Sequence, residues 1–444
     1  MSASYRFRGN RAAEIAADVE RAVADGELDP GQSLPPLREV ARELGVNPNT
    51  VAAAYRLLRD RGVVETEGRR GTRVRARPRT TARDQMRVAV PEGARDLSGG
   101  NPDPALLPSH TQALAAAARR YAERPVLYGA GQESPLLTEV ARARFRAEGV
   151  AADHLAVTSG ALNAVELLLS AWTRPGDGVA VEDPGWTALL DLLPALGLRT
   201  VPMAVDDAGP RVEAVEAALA SGARALVLTA RAHNPTGAAV TAERAERLRA
   251  VLAAHPDALL IEDDHGHGIA GVPLHTVTGA GPRWAAVRSA AKAQGPDLRV
   301  AAVAADRRTA DALRGRQRLG AGWVSHLLQD TVAELWRAHD PERVRAVASA
   351  YDERRAGLVE LLRRQGVAAH GRTGMNVWVP CDDETGAVTR LLARGWAVAP
   401  GARFRLRSPQ GLRVTISPLR VAELPRLAED LAEALRPRGQ TRLG

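Results

Sequence analysis

From about residue 150 the chain alternates short apolar runs with stretches of helical periodicity. Leu155–Thr158, Val179–Glu182, Ala225–Thr229, Ala258–Glu262, Trp284–Arg288 and Leu298–Ala304 read as strands. Ala161–Ala171, Trp186–Leu196 and Ala242–Ala254 read as helices between them. Strand–helix alternation implies crossover connections and an α/β fold with a mostly parallel sheet covered on both faces. Ligands of such sheets lie beyond the carboxyl ends of the strands. After Ser325 the pattern is mainly helical to about Gln365, and a small α+β part runs to the C-terminus. The front of the chain has another rhythm. Ala12–Ala24 and Leu37–Leu44 read as helices, Gly45 and Val46 as a tight turn, and NPNTVAAAYRLLRDRG as a third helix. Asn47 is its N-cap and Pro48 its first residue, as helix starts prefer. VVETEGRRGTRVRA reads as a hairpin whose turn holds Gly68, Arg69, Arg70 and Gly71. The outline is a helix-turn-helix followed by a basic wing.

Charge sharpens the division. Of a net +8 over 444 residues, the first 95 carry +5, from 18 Arg against 13 acids. Residues 1–77 are expected to form one domain, 78–95 a linker and 96–444 a second domain. The single cysteine, Cys381, excludes a disulfide framework and a cysteine-based zinc site. No apolar run approaches the ~20 residues of a membrane helix; Glu166 interrupts the best candidate. The N-terminus lacks the apolar stretch of a signal peptide. A cytoplasmic protein with no membrane partner is expected.

The chemistry of the front module fits double-stranded DNA. The second helix of such a unit lies in the major groove, with its N-terminal residues at base edges. Those residues are Asn47, Asn49 and Thr50, and an Asn reads adenine in bidentate fashion. Arg38 and the wing arginines suit phosphates. Residues 11–75, with the LPPLREVARELGVNPNTV run and the wing, resemble the winged helix-turn-helix of GntR-type bacterial regulators. That resemblance makes Arg38, Asn47, Asn49, Thr50 and Arg70 the DNA-facing residues. Pro48 stands where many relatives carry Arg.

Lys292 is the only lysine; the other 59 basic residues are Arg. A solvated lysine is readily replaced by arginine, because either keeps a surface charged. A lysine that must lose its proton and attack as an amine is not, because arginine stays protonated. Lys292 lies in RSAAKAQGPDLRV, with Ser289 before it and Arg299 after. TSGALNAVELL presents the backbone N–H groups of Gly160, Ala161 and Leu162 at a helix start, where an anion would be favoured.

The Ser289–Lys292–Arg299 segment resembles that of fold-type I pyridoxal-phosphate proteins, the aspartate aminotransferase superfamily. The resemblance covers residues 96–436. It implies pyridoxal 5'-phosphate held on Lys292, the one catalytic candidate. Ser289, Arg299 and the 160–162 turn would bind its phosphate. It places Trp186 of EDPGW on the ring face, Asn234 of HNPTG at the ring hydroxyl and Asp263 of IEDDHGHG at the pyridine nitrogen, with Asp264 the alternative. Tyr128 would reach a phosphate, often across a dimer interface, and Arg413 would clamp a carboxylate with its two-pronged fork. His265 stands where relatives usually carry Tyr. Glu262, Asp263, Asp264, His265 and His267 have metal-ligand chemistry. Alternate side chains on a strand end face opposite ways, so no metal is expected.

A GntR-type module fused to an aminotransferase-like domain is the architecture of MocR-type regulators. The function implied is transcriptional control by a homodimer whose pyridoxal-phosphate domain senses an amino compound or a B6 vitamer at a DNA operator. The alternatives are an active aminotransferase carrying a DNA-binding module, and a DNA-binding protein with an empty large domain.

Overall fold

The computed structural model describes residues 5–24, 27–29, 31–60, 63–66, 71–74, 83, 89–338 and 340–436. Two compact units are present: Met1–Ala82 with Thr173–Gly178 and Asp191–Arg199, and the remainder of the chain.

The front of the chain holds α1 (Ala12–Ala24), α2 (Leu37–Leu44), α3 (Pro48–Asp60), and the antiparallel strands β1 (Val64–Thr66) and β2 (Thr72–Val74). Ile15 and Val19 of α1 are buried with Val40 of α2 and with Val51, Ala54 and Leu58 of α3. Their spacing of three and four puts each set on one helix face. Gly45 ends α2 in the left-handed region, φ 66°, and its N–H faces the Ala41 and Arg42 carbonyls. Only glycine takes that conformation without strain. Asn47 Oδ1 accepts from Asn49 N at 2.9 Å, the expected cap on α3. Tyr55 of α3 donates to the Pro35 carbonyl at 2.9 Å, which ties α3 to the entry of α2. The wing turn, with Arg70, lies outside the described residues.

The large sheet is made from β4 (His154–Thr158), β5 (Gly178–Asp183), β6 (Arg199–Asp206), β7 (Gly209–Pro210), β8 (Ala223–Thr229), β9 (Leu259–Asp263), β10 (Trp284–Ser289) and β11 (Ala301–Ala305). Their order is β4-β11-β10-β9-β8-β5-β6-β7. Strands β8, β9 and β10 pair in parallel. Here the expectation of crossovers needs one correction. Strand β11 is antiparallel to both β10 and β4. The connection from β10 holds only a four-residue helix, Ala291–Gln294, and a short turn, Pro296–Leu298. That is too little chain for a crossover helix, so the strand returns beside its predecessor. Lys292 sits in this connection.

A second sheet, ordered β12-β14-β13-β3, joins β3 (Arg95–Leu97) to β12 (Asn376–Pro380), β13 (Trp396–Pro400) and β14 (Gly411–Thr415). Thus the first strand after residues 78–95 is an edge strand of the C-terminal sheet, parallel to β13. The helix Pro341–Arg364 leads into this part, and its Leu358 and Leu362 are buried with Leu427 and Leu431 of the last helix. Among the described residues no helix is long and apolar enough to cross a membrane.

Candidate functional site

Three strand ends and one turn bring the central residues together. Strand β9 ends in Asp263, and β10 ends in Ser289, three residues before Lys292. The Lys292 Nζ donates to the Gly100 carbonyl at 2.7 Å. Burial, reinforced by the Arg413 charge and partly opposed by Asp263, lowers the Lys292 ammonium to about 8. Burial removes water from the charged form, so the neutral amine gains. Roughly a tenth of it is then unprotonated at pH 7, against almost none for an ordinary lysine.

Asp263 is buried, and its two oxygens differ. Oδ2 lies 2.8 Å from His265 Nδ1. Oδ1 is buried with no partner among the described residues. A buried, unpaired carboxylate oxygen costs free energy unless a donor meets it.

The turn from β4 into the helix Ala161–Trp172 passes through Gly160 at φ 89°. A Cβ there would come within 2.9 Å of Arg299 Nη2. Arg299 donates to the Ser159 carbonyl at 3.0 Å. Gly160 therefore lets a guanidinium lie across a helix N-terminus that starts with Ala161 and Leu162. Two sources of positive potential converge there. Ser289 is buried at the end of β10, its Oγ accepting from Ala291 N at 3.2 Å.

Arg413, on β14, is buried beside the Phe404 ring, 4.6 Å from its centroid. Its Nη1 donates to Asn234 Oδ1 at 3.0 Å and its Nη2 to the Ser98 carbonyl. Gly100, at φ 70°, makes room for that fork: a Cβ would sit 3.1 Å from Nη1. Trp186 is half-buried at the start of the helix Thr187–Ala195. The preceding Gly185 N–H donates to the Phe404 carbonyl at 2.8 Å, which ties the EDPGW turn to the Arg413 neighbourhood.

Six more candidates are among the described residues. Tyr128 is 94% exposed with its ring edge-on to Trp323. His265 spans Asp263 and the Ala232 carbonyl, the latter at 2.9 Å from Nε2. Asn47 is exposed, and its Oδ1 accepts the α3 cap bond; an amide oxygen has two lone pairs, so one acceptor position is left for a base edge. Arg38 and Asn49 are exposed and Thr50 is half-buried.

Asp264 faces the other way, as strand alternation requires. Arg231 grips it with Nε at 2.8 Å and Nη2 at 3.0 Å. Arg288 reaches it at 3.0 Å and Glu148 at 2.6 Å. Asp264, Glu148 and His267 do converge with ligand-like spacing. The arginines already neutralise both carboxylates. Burial and the Arg288 charge push His267 down to about 4, so its imidazole is neutral at pH 7. This cluster commits Asp264 and leaves Asp263 as the carboxylate facing Lys292.

Sequence reasoning missed the Ser98 and Gly100 carbonyls and the roles of Glu148, Arg231 and Arg288. The Gly99–Gly100 doublet was the only available signal for the first pair.

The residues fit pyridoxal phosphate on three counts: an orphaned Asp263 oxygen, a glycine cradle beside Arg299, and a half-buried lysine with a lowered ammonium. Residues 96–431 match the family model for aminotransferases of class I and II, and residues 11–74 that for bacterial regulatory proteins of the gntR family. The chain is 40% identical to the vitamin B6 salvage pathway transcriptional repressor PtsJ of Salmonella typhimurium, over 96% of this chain and 99% of the relative. It is 30% identical to the pyridoxine biosynthesis transcriptional regulator PdxR of Corynebacterium glutamicum, over 61% of this chain and 60% of the relative. Among solved structures, the α-aminoadipate aminotransferase LysN of Thermus thermophilus, complexed with a phosphopyridoxyl-leucine, shares the fold. It has a TM-score of 0.69 and 22% identity, over 81% of this chain and 95% of that one.

Proposed function

Because this chain belongs to the MocR-type regulators, which join a GntR-family DNA-binding domain to an aminotransferase class I and II domain, we propose that it is a transcriptional regulator that holds pyridoxal phosphate on Lys292 and reports the supply of a B6 vitamer to an operator. The observation that carries this reading is the sole lysine, half-buried with its ammonium lowered to about 8, near an Asp263 whose Oδ1 has no partner among the described residues. Two relatives named for vitamin B6 salvage and pyridoxine biosynthesis support the choice of effector.

Pyridoxal phosphate supplies an aldehyde that condenses with amines and a ring that draws electrons toward its nitrogen. The residues of this chain bind and orient it. Lys292 gives the amine. Arg299, Ser289 and the 160–162 turn take the phosphate, Asp263 the ring nitrogen, Asn234 the ring hydroxyl, and Trp186 one ring face. Arg413 receives the carboxylate of an amino compound.

The donors that meet these ligands are met by chain carbonyls: Gly100 takes Lys292, and Ser98 takes Arg413. A ligand on either residue competes with that segment, which follows β3 directly. Occupancy thus acts on the first residues after the linker 78–95, and through it on the DNA domain of residues 1–77. A ligand shifts such an equilibrium only by its differential affinity for the two arrangements. Leu127, Tyr128 and Leu319 are exposed by 72%, 94% and 79%. Covering them with a second copy gives a cytoplasmic homodimer that presents two DNA readers to two half-sites.

The test is anisotropy of labelled duplexes from the region upstream of the protein's own gene, with the full chain with and without pyridoxal phosphate. Sequence-dependent binding that changes at least about fivefold with the vitamer is expected, within the usual range of allosteric coupling. Steady-state exchange of an amino acid and a keto acid at ordinary enzyme rates, with DNA binding indifferent to vitamer, overturns the sensor reading in favour of an aminotransferase.

Two variants separate the modules. Asn49→Ala should weaken operator binding by roughly 1–3 kcal/mol and relax specificity at one base pair. Equal weakening on unrelated duplexes would show that Asn49 reads no base. Arg413→Ala should slow cofactor capture several-fold at pH 7 and hardly at all at pH 10, because the lost charge lets Lys292 regain its proton. Stopped-flow absorbance at both pH values decides this.

A further inference from the structure

We infer that His265 is a doubly protonated clamp, an imidazolium that holds Asp263 and spends one of its two oxygens. The ring lies between two acceptors. Nδ1 is 2.8 Å from Asp263 Oδ2, and Nε2 is 2.9 Å from the Ala232 carbonyl. A neutral imidazole has one N–H. It would satisfy one neighbour and set a lone pair against the other. Turning the ring over would put carbons where the nitrogens are and lose both bonds. Only the ring with two N–H groups satisfies both neighbours.

The acceptors are held in place. Ala232 sits at φ 57°, and its N–H is fixed by Thr373 Oγ1 at 2.9 Å, so its carbonyl direction is set. Asp263 ends a fully buried strand. The charged groups facing the ring come from two elements. Asp263 on β9 favours the imidazolium; Lys292, from the β10–β11 connection, opposes it. Arg413 on β14 faces Lys292, and Asp264 is turned toward Arg231 and Arg288. Burial lowers the His265 pKa and Lys292 adds to that, but Asp263 and the Ala232 carbonyl together outweigh them, and the net direction is upward.

The consequence rests on the pyridoxal-phosphate reading above. With Oδ2 taken by a cation, only Oδ1 remains for a ring nitrogen, and that nitrogen faces a neutral ion pair rather than a full anion. The hydrogen bond is kept, while the pull on a ring proton is reduced. Chemistry that stores electrons in the ring needs that pull; holding the cofactor does not. His265 is thus a positioning residue that tilts the site toward binding without turnover.

The experiment uses the full-length apoprotein labelled with nitrogen-15 in histidine, with His265→Gln identifying the His265 signals. Both ring nitrogens should appear protonated at pH 7. The ring should titrate above the ordinary histidine range, and Asp263→Asn should bring it back down. A singly protonated His265 in the wild-type protein at pH 7 overturns the proposal without recourse to any variant; so does a midpoint that Asp263→Asn leaves unmoved. Adding pyridoxal phosphate then reads the other reading separately. Absence of bound colour would sink cofactor binding and leave the titration result standing.

Discussion

Lys292→Arg should give a folded protein that captures no pyridoxal phosphate. The substitution keeps the charge and nearly the length of the side chain, so the contact with the Gly100 carbonyl survives in kind. What it removes is the amine. A guanidinium does not lose its proton near neutral pH, and condensation with an aldehyde needs the free base. Lys292 is the only lysine of the chain, so no neighbouring side chain can substitute. Retention of cofactor should fall by at least about 100-fold, because the residual hold is non-covalent, a loss of roughly 2.7 kcal/mol. Borohydride treatment of the wild-type protein with cofactor, then peptide mass mapping, should place one label at residue 292. The wild-type rate carries its own signature. With its ammonium at about 8, the amine is ~10% free at pH 7 and ~90% free at pH 9. The sign follows from the direction of the shift: a lowered pKa frees the base above 8, so capture should climb about ninefold between those values and level off beyond. Colour retained by Lys292→Arg, or a rate flat from pH 6 to 9, would place the cofactor elsewhere.

Much of this site was legible because its chemistry is local in the chain. A lone lysine between Ser289 and Arg299, a glycine turn before a helix and an HNPTG segment are each short words. The strands β4, β5, β8, β9 and β10 were legible for the same reason, as apolar runs of strand length. The direction of β11 was not. Its composition is that of any buried strand, and only the shortness of the preceding connection makes it antiparallel. The hold of Ser98 and Gly100 on Arg413 and Lys292 was hidden too, since a carbonyl contact leaves no side-chain signature. His265 was visible as a departure from Tyr, but its partners are one residue nearby on β9 and one 33 positions earlier. Arg288 was the deepest concealment. An arginine in RSAAK reads as a solvated strand end, yet its side chain is wholly buried.

That burial makes Arg288→Met the substitution with the largest effect on stability. Arg288 lies over the Phe145 ring, 4.4 Å from its centroid, and bridges Asp264 and Glu148. Methionine fills part of the space and supplies no charge, so Arg231 is left as the arginine serving the buried Asp264 and the half-buried Glu148. Removing one partner of a buried pair typically costs 3–5 kcal/mol, because the remaining charge stays desolvated. All seven tryptophans lie between Trp172 and Trp396, so their fluorescence follows the unfolding of the aminotransferase-like domain and not of the DNA domain. The deficit should depend on pH. Against the upward push of burial, His267, Arg288 and Arg231 hold the Glu148 carboxyl below the usual range, and Arg231 and Arg288 do so for Asp264. A depressed carboxylate contributes stability above its unfolded pKa of about 4 and loses it as pH falls through the folded value. In Arg288→Met the carboxylate left poorly paired is relieved by protonation instead. The gap between wild type and variant should therefore be widest at pH 7 and shrink toward pH 4.5 in urea unfolding. A gap of equal size at both pH values would mean that Arg288 contributes packing against Phe145 rather than charge.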